Sequence, residues 1–297
     1  MLPLFLAGAA LCATLLAAPA CGSAADAARR DSAELAERKA RLDSSLAAPG
    51  DSAKPIARWQ LPVRLAEISG LALTPDGRLF AHGDENSRVF EIDYRRGVIL
   101  KQFTVGPQPI REDFEGITFV DGSLILMTSN GKLYEFQEGA DGANVQYRLE
   151  DTQLGKECEF EGIAYEAASN SLLLACKNPG PRSQRDQLVI YRWKREGPAA
   201  ARLSQLIVPV ARVVGANRWL RLRPTDLTLD PVTGNYVMVS AQEQALVEIT
   251  PSGELVSARP LPSGHVQAEG VAITRDGILI VSDEGQGRQG VITLYKR

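Results

Sequence analysis

Only two histidines, His82 and His265, occur in 297 residues, and there is no G-x-S-x-G elbow. A zinc site built on clustered imidazoles is excluded, and nucleophilic catalysis of the triad kind finds little support. Cysteine is equally scarce: Cys12 and Cys21 belong to the N-terminal segment, so Cys158 and Cys176 alone fall in the region that can fold. The net charge of −3 is too small to argue for nucleic acid or an anionic membrane surface as partner. Long apolar runs are missing after residue 18, and no repeated segment carries a helix-period stripe or a leucine-rich consensus, which argues against a solenoid. A hydrophobic content of 44% nevertheless supports a packed core rather than disorder.

A short motif is present in place of these features. Ser69-Gly70-Leu71, Glu115-Gly116-Ile117, Glu161-Gly162-Ile163, Thr225-Asp226-Leu227 and Glu269-Gly270-Val271 share an acid or hydroxyl, a small residue and an aliphatic. The middle residues are 46, 46, 64 and 44 positions apart, a period in the forties that marks a repeat architecture. Each motif is followed by a turn such as Pro75-Asp76-Gly77, Asp121-Gly122 or Asp276-Gly277, and then by a second apolar run. That order predicts a hairpin. A third alternating run follows, as in Lys132-Leu133-Tyr134-Glu135-Phe136, and four units continue into a more polar fourth stretch. Four-stranded meanders repeated at this period predict an all-β chain, a five-bladed β-propeller.

The fifth unit reaches its third strand two residues before the C-terminus, so the strand-like residues 56–63 are expected to close the ring as the outer strand of blade five. Residues 55–297 then form one propeller domain. Residues 1–20 read as a signal peptide, with Ala18-Pro19-Ala20 fitting an A-x-A cleavage site before Cys21. Cys21-Gly22-Ser23 resembles a lipoprotein junction, although Ala18 stands where a lipobox prefers Leu; lipidation of Cys21 and plain cleavage both remain open. Export to the periplasm or a membrane-anchored place in the cell envelope follows from either. Residues 21–54, with only Leu35, Leu42 and Leu46 spaced along a polar stretch, read as a loosely helical tether. Cys158 and Cys176 flank the first hairpin of blade three, a geometry that permits a disulfide and equally permits two free buried thiols.

Antiparallel pairing brings the start of each inner strand and the end of each second strand to one face. Glu67, Glu115, Glu161 and Glu269 therefore converge on one mouth of the central channel, with Asp84, Glu85, Asn130, Lys177, Asn178, Asp226, Asp283 and Glu284 as further mouth residues. Crowded carboxylates call for a cation or a proton between them, and hard oxygen donors suit Ca²⁺. The alternative is that these Glu accept backbone N–H bonds from a neighbouring blade and fasten the ring. Arg111, Lys156, Lys177 and Arg223 lie beside the acids and either balance them or hold an anionic group. His265, in the loop before the fifth inner strand, is expected to be solvated; Trp219 and Leu220, in the long connection 210–223, are candidates to cap the channel or contact a partner.

Glu67-Ile68-Ser69-Gly70-Leu71, Asp113-Phe114-Glu115-Gly116-Ile117, Glu159-Phe160-Glu161-Gly162-Ile163-Ala164 and Gln267-Ala268-Glu269-Gly270-Val271-Ala272, with Asp84-Glu85 and Lys177-Asn178-Pro179, together resemble the SdiA-regulated family of bacterial envelope propellers, which is distantly similar to NHL-repeat proteins. The resemblance runs from about residue 56 to the C-terminus and implies a five-bladed propeller with a calcium site; it implies no particular activity. Thr225-Asp226 and Ser69 depart from the Glu-Gly form. Two functions remain: a monomeric calcium-binding module for a small molecule, peptide or envelope protein, or a calcium-dependent hydrolase of phosphoesterase or lactonase type.

Overall fold

The computed structural model describes residues 24–48 and 51–297, so the expected signal peptide and Cys21 lie outside the described residues. Five antiparallel sheets stand around one axis. The inner strands are Ile68–Leu73, Phe114–Val120, Cys158–Glu166, Asp226–Leu229 and Ala268–Ile273, and each pairs with the strand that follows it in sequence. The Asp121-Gly122 turn of blade two shows why the hairpins form where the sequence indicates. Val120 pairs with Ser123, so two residues make the turn, and their φ values of 47° and 90° belong to the type I′ geometry that Asp-Gly favours. Apolar side chains from adjacent blades interdigitate in five clusters, one at each interface between blades.

The motif glycines allow the inner strands to approach so closely. A Cβ at Gly116 would stand 2.9 Å from Ile163 Cγ2, one at Gly162 would stand 2.8 Å from Asp226 Cα, and one at Gly270 would stand 2.5 Å from the Ser69 carbonyl oxygen. Each glycine thus faces the next inner strand around the axis, where any side chain would push the blades apart.

Blade five takes its outer strand from the other end of the chain. Pro55–Gln60 pairs antiparallel with Val291–Lys296, setting Arg58 opposite Thr293 and Trp59 opposite Ile292. The strand is shorter than residues 56–63: Pro62 has no N–H to give a ladder, and Val63–Leu65 turns as a 3₁₀ segment.

The segment expected as a loosely helical tether is helical where it is described. Residues Ala24–Ala47 form a helix whose last turns dock on the propeller at the junction of blades five and one. Leu42 is buried, Leu46 packs beside it, and Lys296 Nζ donates to the Leu46 and Ala48 carbonyls that end the helix. Two leucines at i and i+4 make a stripe too narrow to be read as core-facing, yet one turn of contact needs only that pair. Among the described residues no helix is long and apolar enough to cross a membrane.

Cys158 and Cys176 are joined by a disulfide across the first hairpin of blade three, with Cα atoms 5.8 Å apart. The closed loop spans 18 residues in sequence. Replacing both cysteines by serine is expected to cost about 3 kcal/mol, read as a lower urea midpoint, with a slope that stays or steepens as the freed unfolded chain exposes more surface. An unshifted midpoint would assign the bond no stabilising role.

Candidate functional site: an acidic mouth

The start of the inner strands opens into a cavity of about 110 Å³ lined by Glu67, Ser69, Asp84, Glu115, Glu161, Lys177, Gln267, Glu269 and Glu284. All four glutamates singled out from the motif stand in its wall, joined by Asp84 and Glu284 from the ends of second strands. Lys177 is the one cation in this wall, and its ammonium is paired with the buried Glu161. Six carboxyl groups against one ammonium leave the cavity strongly acidic.

Burial and mutual repulsion act on these groups together. Burial first, then Glu161 and Asp113, holds the Glu115 carboxyl well above its usual range, with Lys177 opposing. Glu161 is also held up by burial, although Lys177 pulls it back. Glu269 is pushed up to about 7 by burial and by Glu161. Burial raises Glu67, Asp84 and Glu284 as well, helped by the charges of their acidic neighbours, among them Glu85. Burial pulls Lys177 down, but Glu161, Glu269 and Glu115 outweigh it and leave its ammonium above the ordinary value. Shifts concentrated in one cleft are the electrostatic mark of a site that takes a proton or a cation.

Two polar atoms in the wall have no partner. Ser69 Oγ and Asp84 Oδ1 are buried and unbonded, whereas buried oxygens ordinarily find a donor. Among the described residues no three Asp, Glu, His or Cys side chains stand tightly enough together to grip one ion in the present arrangement.

The remaining candidates go elsewhere. Thr225 Oγ1 donates to the Ala268 carbonyl at 2.5 Å, so its hydroxyl serves the seam between blades four and five. Asp226, at the glycine position of blade four, is fully buried and accepts the N–H of Val271 and of Leu227 at 2.8 Å each, with the Leu71 N–H close by. The fastening role weighed for the glutamates therefore falls to Asp226. Asn130 accepts from Thr128 Oγ1, and Asn178 donates to Glu159 at 2.8 Å. Asp283 receives the N–H of Val266 at 2.9 Å and meets His265 Nδ1 at 2.7 Å. Arg111 and Lys156 are exposed and outside the wall, and Arg223 is forked onto Glu243 at 2.7 and 3.0 Å.

His265 is not solvated. It is buried between Asp283 and the Tyr295 hydroxyl, each 2.7 Å away, because the loop before the fifth inner strand folds inward over the end of the blade. His82 is buried too: Gly70 N–H donates to Nε2 at 3.2 Å, and burial presses its pKa down to about 4. Trp219 packs on the core between blades three and four, while Leu220 is 86% exposed.

Two features had gone unread. Leu73, Phe119, Tyr165, Leu229 and Ile273, one from each blade, line a cavity of about 510 Å³ at the opposite mouth. That cavity is roomier than the acidic one and mixes these apolar side chains with polar ones, Asp76, Arg95, Arg275 and Asp276 among them, so acids and bases balance there, whereas the acidic mouth sets six carboxyls against one ammonium. The larger cavity's signal in the sequence is the large apolar or aromatic residue two positions after the aliphatic of every motif. The second feature is a basic cavity beside the acidic mouth, with Arg185 and Arg221 in its wall.

These features define a five-bladed β-propeller with an acidic axial mouth. No family model matches the chain. Its fold is similar to that of glutaminyl cyclase from Myxococcus xanthus, at 12% identity and a TM-score of 0.55, over 81% of this chain and 94% of that one. It is also similar to the PQQ-bound aldose sugar dehydrogenase of Streptomyces coelicolor, at 12% identity and a TM-score of 0.51, over 84% and 100% of the two chains. A luciferin-regenerating enzyme is similar at 10% identity and a TM-score of 0.52, over 82% and 96%. At such identities the likeness concerns the fold, and propellers host unrelated chemistries.

Proposed function

We propose that this protein is a calcium-binding propeller of the SdiA-regulated kind, exported to the cell envelope and acting as a binding module through its acidic mouth. One observation carries the reading: six carboxyl groups surround a small cavity in which Ser69 Oγ and Asp84 Oδ1 lack partners. An oxygen-only donor set of this composition suits a hard divalent cation, with Glu67, Asp84, Glu115, Glu161 and Glu269 as its ligands. Binding requires these side chains to draw inward and the Lys177 ammonium to yield Glu161. The resemblance of the motif set and the leader ending at Cys21 support the assignment to the envelope.

Calorimetry after chelation is expected to show the melting temperature rise when Ca²⁺ is restored, by the equivalent of about 2.7 kcal/mol at a hundredfold excess over Kd. Glu161→Gln is expected to reduce that rise. Identical melting with chelator and with Ca²⁺ would count against the reading. A hydrolase is favoured by one observation alone, the Glu269 carboxyl with its pKa near 7, suited to general-base work beside an ion. Calcium-dependent turnover of simple esters, lactones or phosphomonoesters that is abolished by Glu269→Gln would promote that alternative.

A further inference from the structure

We propose that the basic cavity between blades three and four is an oxyanion site, taking a small molecule that bears a carboxylate or phosphate group. The cavity holds about 360 Å³ and is lined by Lys177, Asn178, Arg185, Gln187, Arg221 and Arg223, with Pro179 and Leu222 as apolar floor. It adjoins the acidic mouth, since Lys177 stands in both walls.

The four cations are not equivalent. Lys177 is engaged by Glu161, and Arg223 by the fork onto Glu243. Arg185 and Arg221 have no ion-pair or side-chain hydrogen-bond partner among the described residues, and both are exposed in the wall. Asp186 flanks Arg185 and takes a long 3.4 Å bond from the Gln187 amide, but it is not in the lining. Two uncommitted guanidiniums therefore face a concave space from different elements, one from the turn that follows the second strand of blade three, the other from the 210–223 connection.

The fold holds the second of these in place. Leu222 is buried in the core between blades three and four, which pins the extended run Arg221-Leu222-Arg223 and leaves Arg221 at the rim. The connection carries Arg212, Arg218, Arg221 and Arg223 and no acidic residue, and of the two that line the cavity only Arg223 is answered by a carboxylate, that of Glu243. Guanidinium forks match the paired oxygens of carboxylate and phosphate, and the Gln187 amide adds a further donor. A metal alone has no place in such a wall.

The test is isothermal titration of the mature protein with inorganic phosphate and with citrate, in dilute buffer and again in high salt. At least one of the two anions is expected to bind saturably, and Arg185→Ala and Arg221→Ala are each expected to weaken it about tenfold. Arg212→Ala, an exposed change on the same connection outside the cavity, is expected to leave affinity unaltered. Loss of binding in all three variants alike, or in none, would overturn the assignment. Repeating the titration on protein stripped of metal and then dialysed free of chelator, whose own carboxylates would compete, separates this site from the proposed calcium mouth. Unchanged affinity supports an independent oxyanion site, whereas anion binding that vanishes with chelation would move the anion onto an ion in the mouth and refute the basic cavity.

Discussion

Asp226→Ala is expected to be the most damaging single substitution in the propeller, costing roughly 4 kcal/mol of stability. The residue stands at the position that the other four blades fill with glycine, where the inner strands come closest. Its carboxyl reaches across the axis: Oδ2 accepts from Val271 of blade five and Oδ1 from its own Leu227, while the Leu71 N–H of blade one lies close enough to favour its charge. One side chain thus ties blade four to blade five and lies against blade one, which is not its neighbour in the ring. Alanine would leave two buried N–H groups with no acceptor, at about 1–3 kcal/mol each. For a domain of this size that corresponds to a fall in melting temperature of roughly 10 °C. Asp226→Asn retains one carbonyl oxygen and is expected to fall between wild type and alanine. An alanine variant melting within a degree or two of wild type would show that the axis does not depend on this contact.

That residue also shows where sequence reading stops. The glycine spacing and the Asp121-Gly122 turn make the five blades legible, because both are local requirements of backbone geometry. The convergence of Glu67, Glu115, Glu161 and Glu269 is legible as well, since it follows from antiparallel pairing alone. Asp226 reads as a departure from the motif, because its acceptor role depends on Val271, which reaches it only when blades four and five stand side by side. His265 reads as a loop residue for the same reason: Asp283 and Tyr295, which enclose it, lie on two later strands. Leu42 and Leu46 lack a helix-long stripe, so only the docked structure shows what they touch. Arg185 and Arg221 become one feature only when blade three and the long connection are set side by side.

The second large effect is expected from pH, and it tests the electrostatics of the mouth directly. An unfolded glutamate loses its proton near 4.5, whereas Glu269 in the fold keeps it to about 7. Between those values the folded state holds more protons than the unfolded one, so stability falls as pH rises through that window. Glu269 alone contributes about 3 kcal/mol of this decline. Glu115, Glu161 and Asp226 are raised too and act in the same direction. Lys177, held above its usual value, keeps its charge throughout the window. Glu138, drawn down to about 2 by Arg78 and Lys101, gives stability that is complete above 4.5 and lost only on further acidification. His82 opposes the trend: buried neutral at about 4, it makes the fold gain stability as pH rises from 4 to 6.5. Wild type and Glu269→Gln are therefore compared at each pH, because their difference cancels His82 and every other distant group. The variant is expected to gain about 2.4 kcal/mol on wild type between pH 5 and 7.5, measured by urea unfolding in chelator. Saturating Ca²⁺ is expected to shrink that gain, since an ion in the mouth favours the ionised carboxyls. A difference between the two proteins that stays constant across the range would mean that Glu269 titrates as an ordinary surface acid and that the mouth is not the strained cluster its geometry describes.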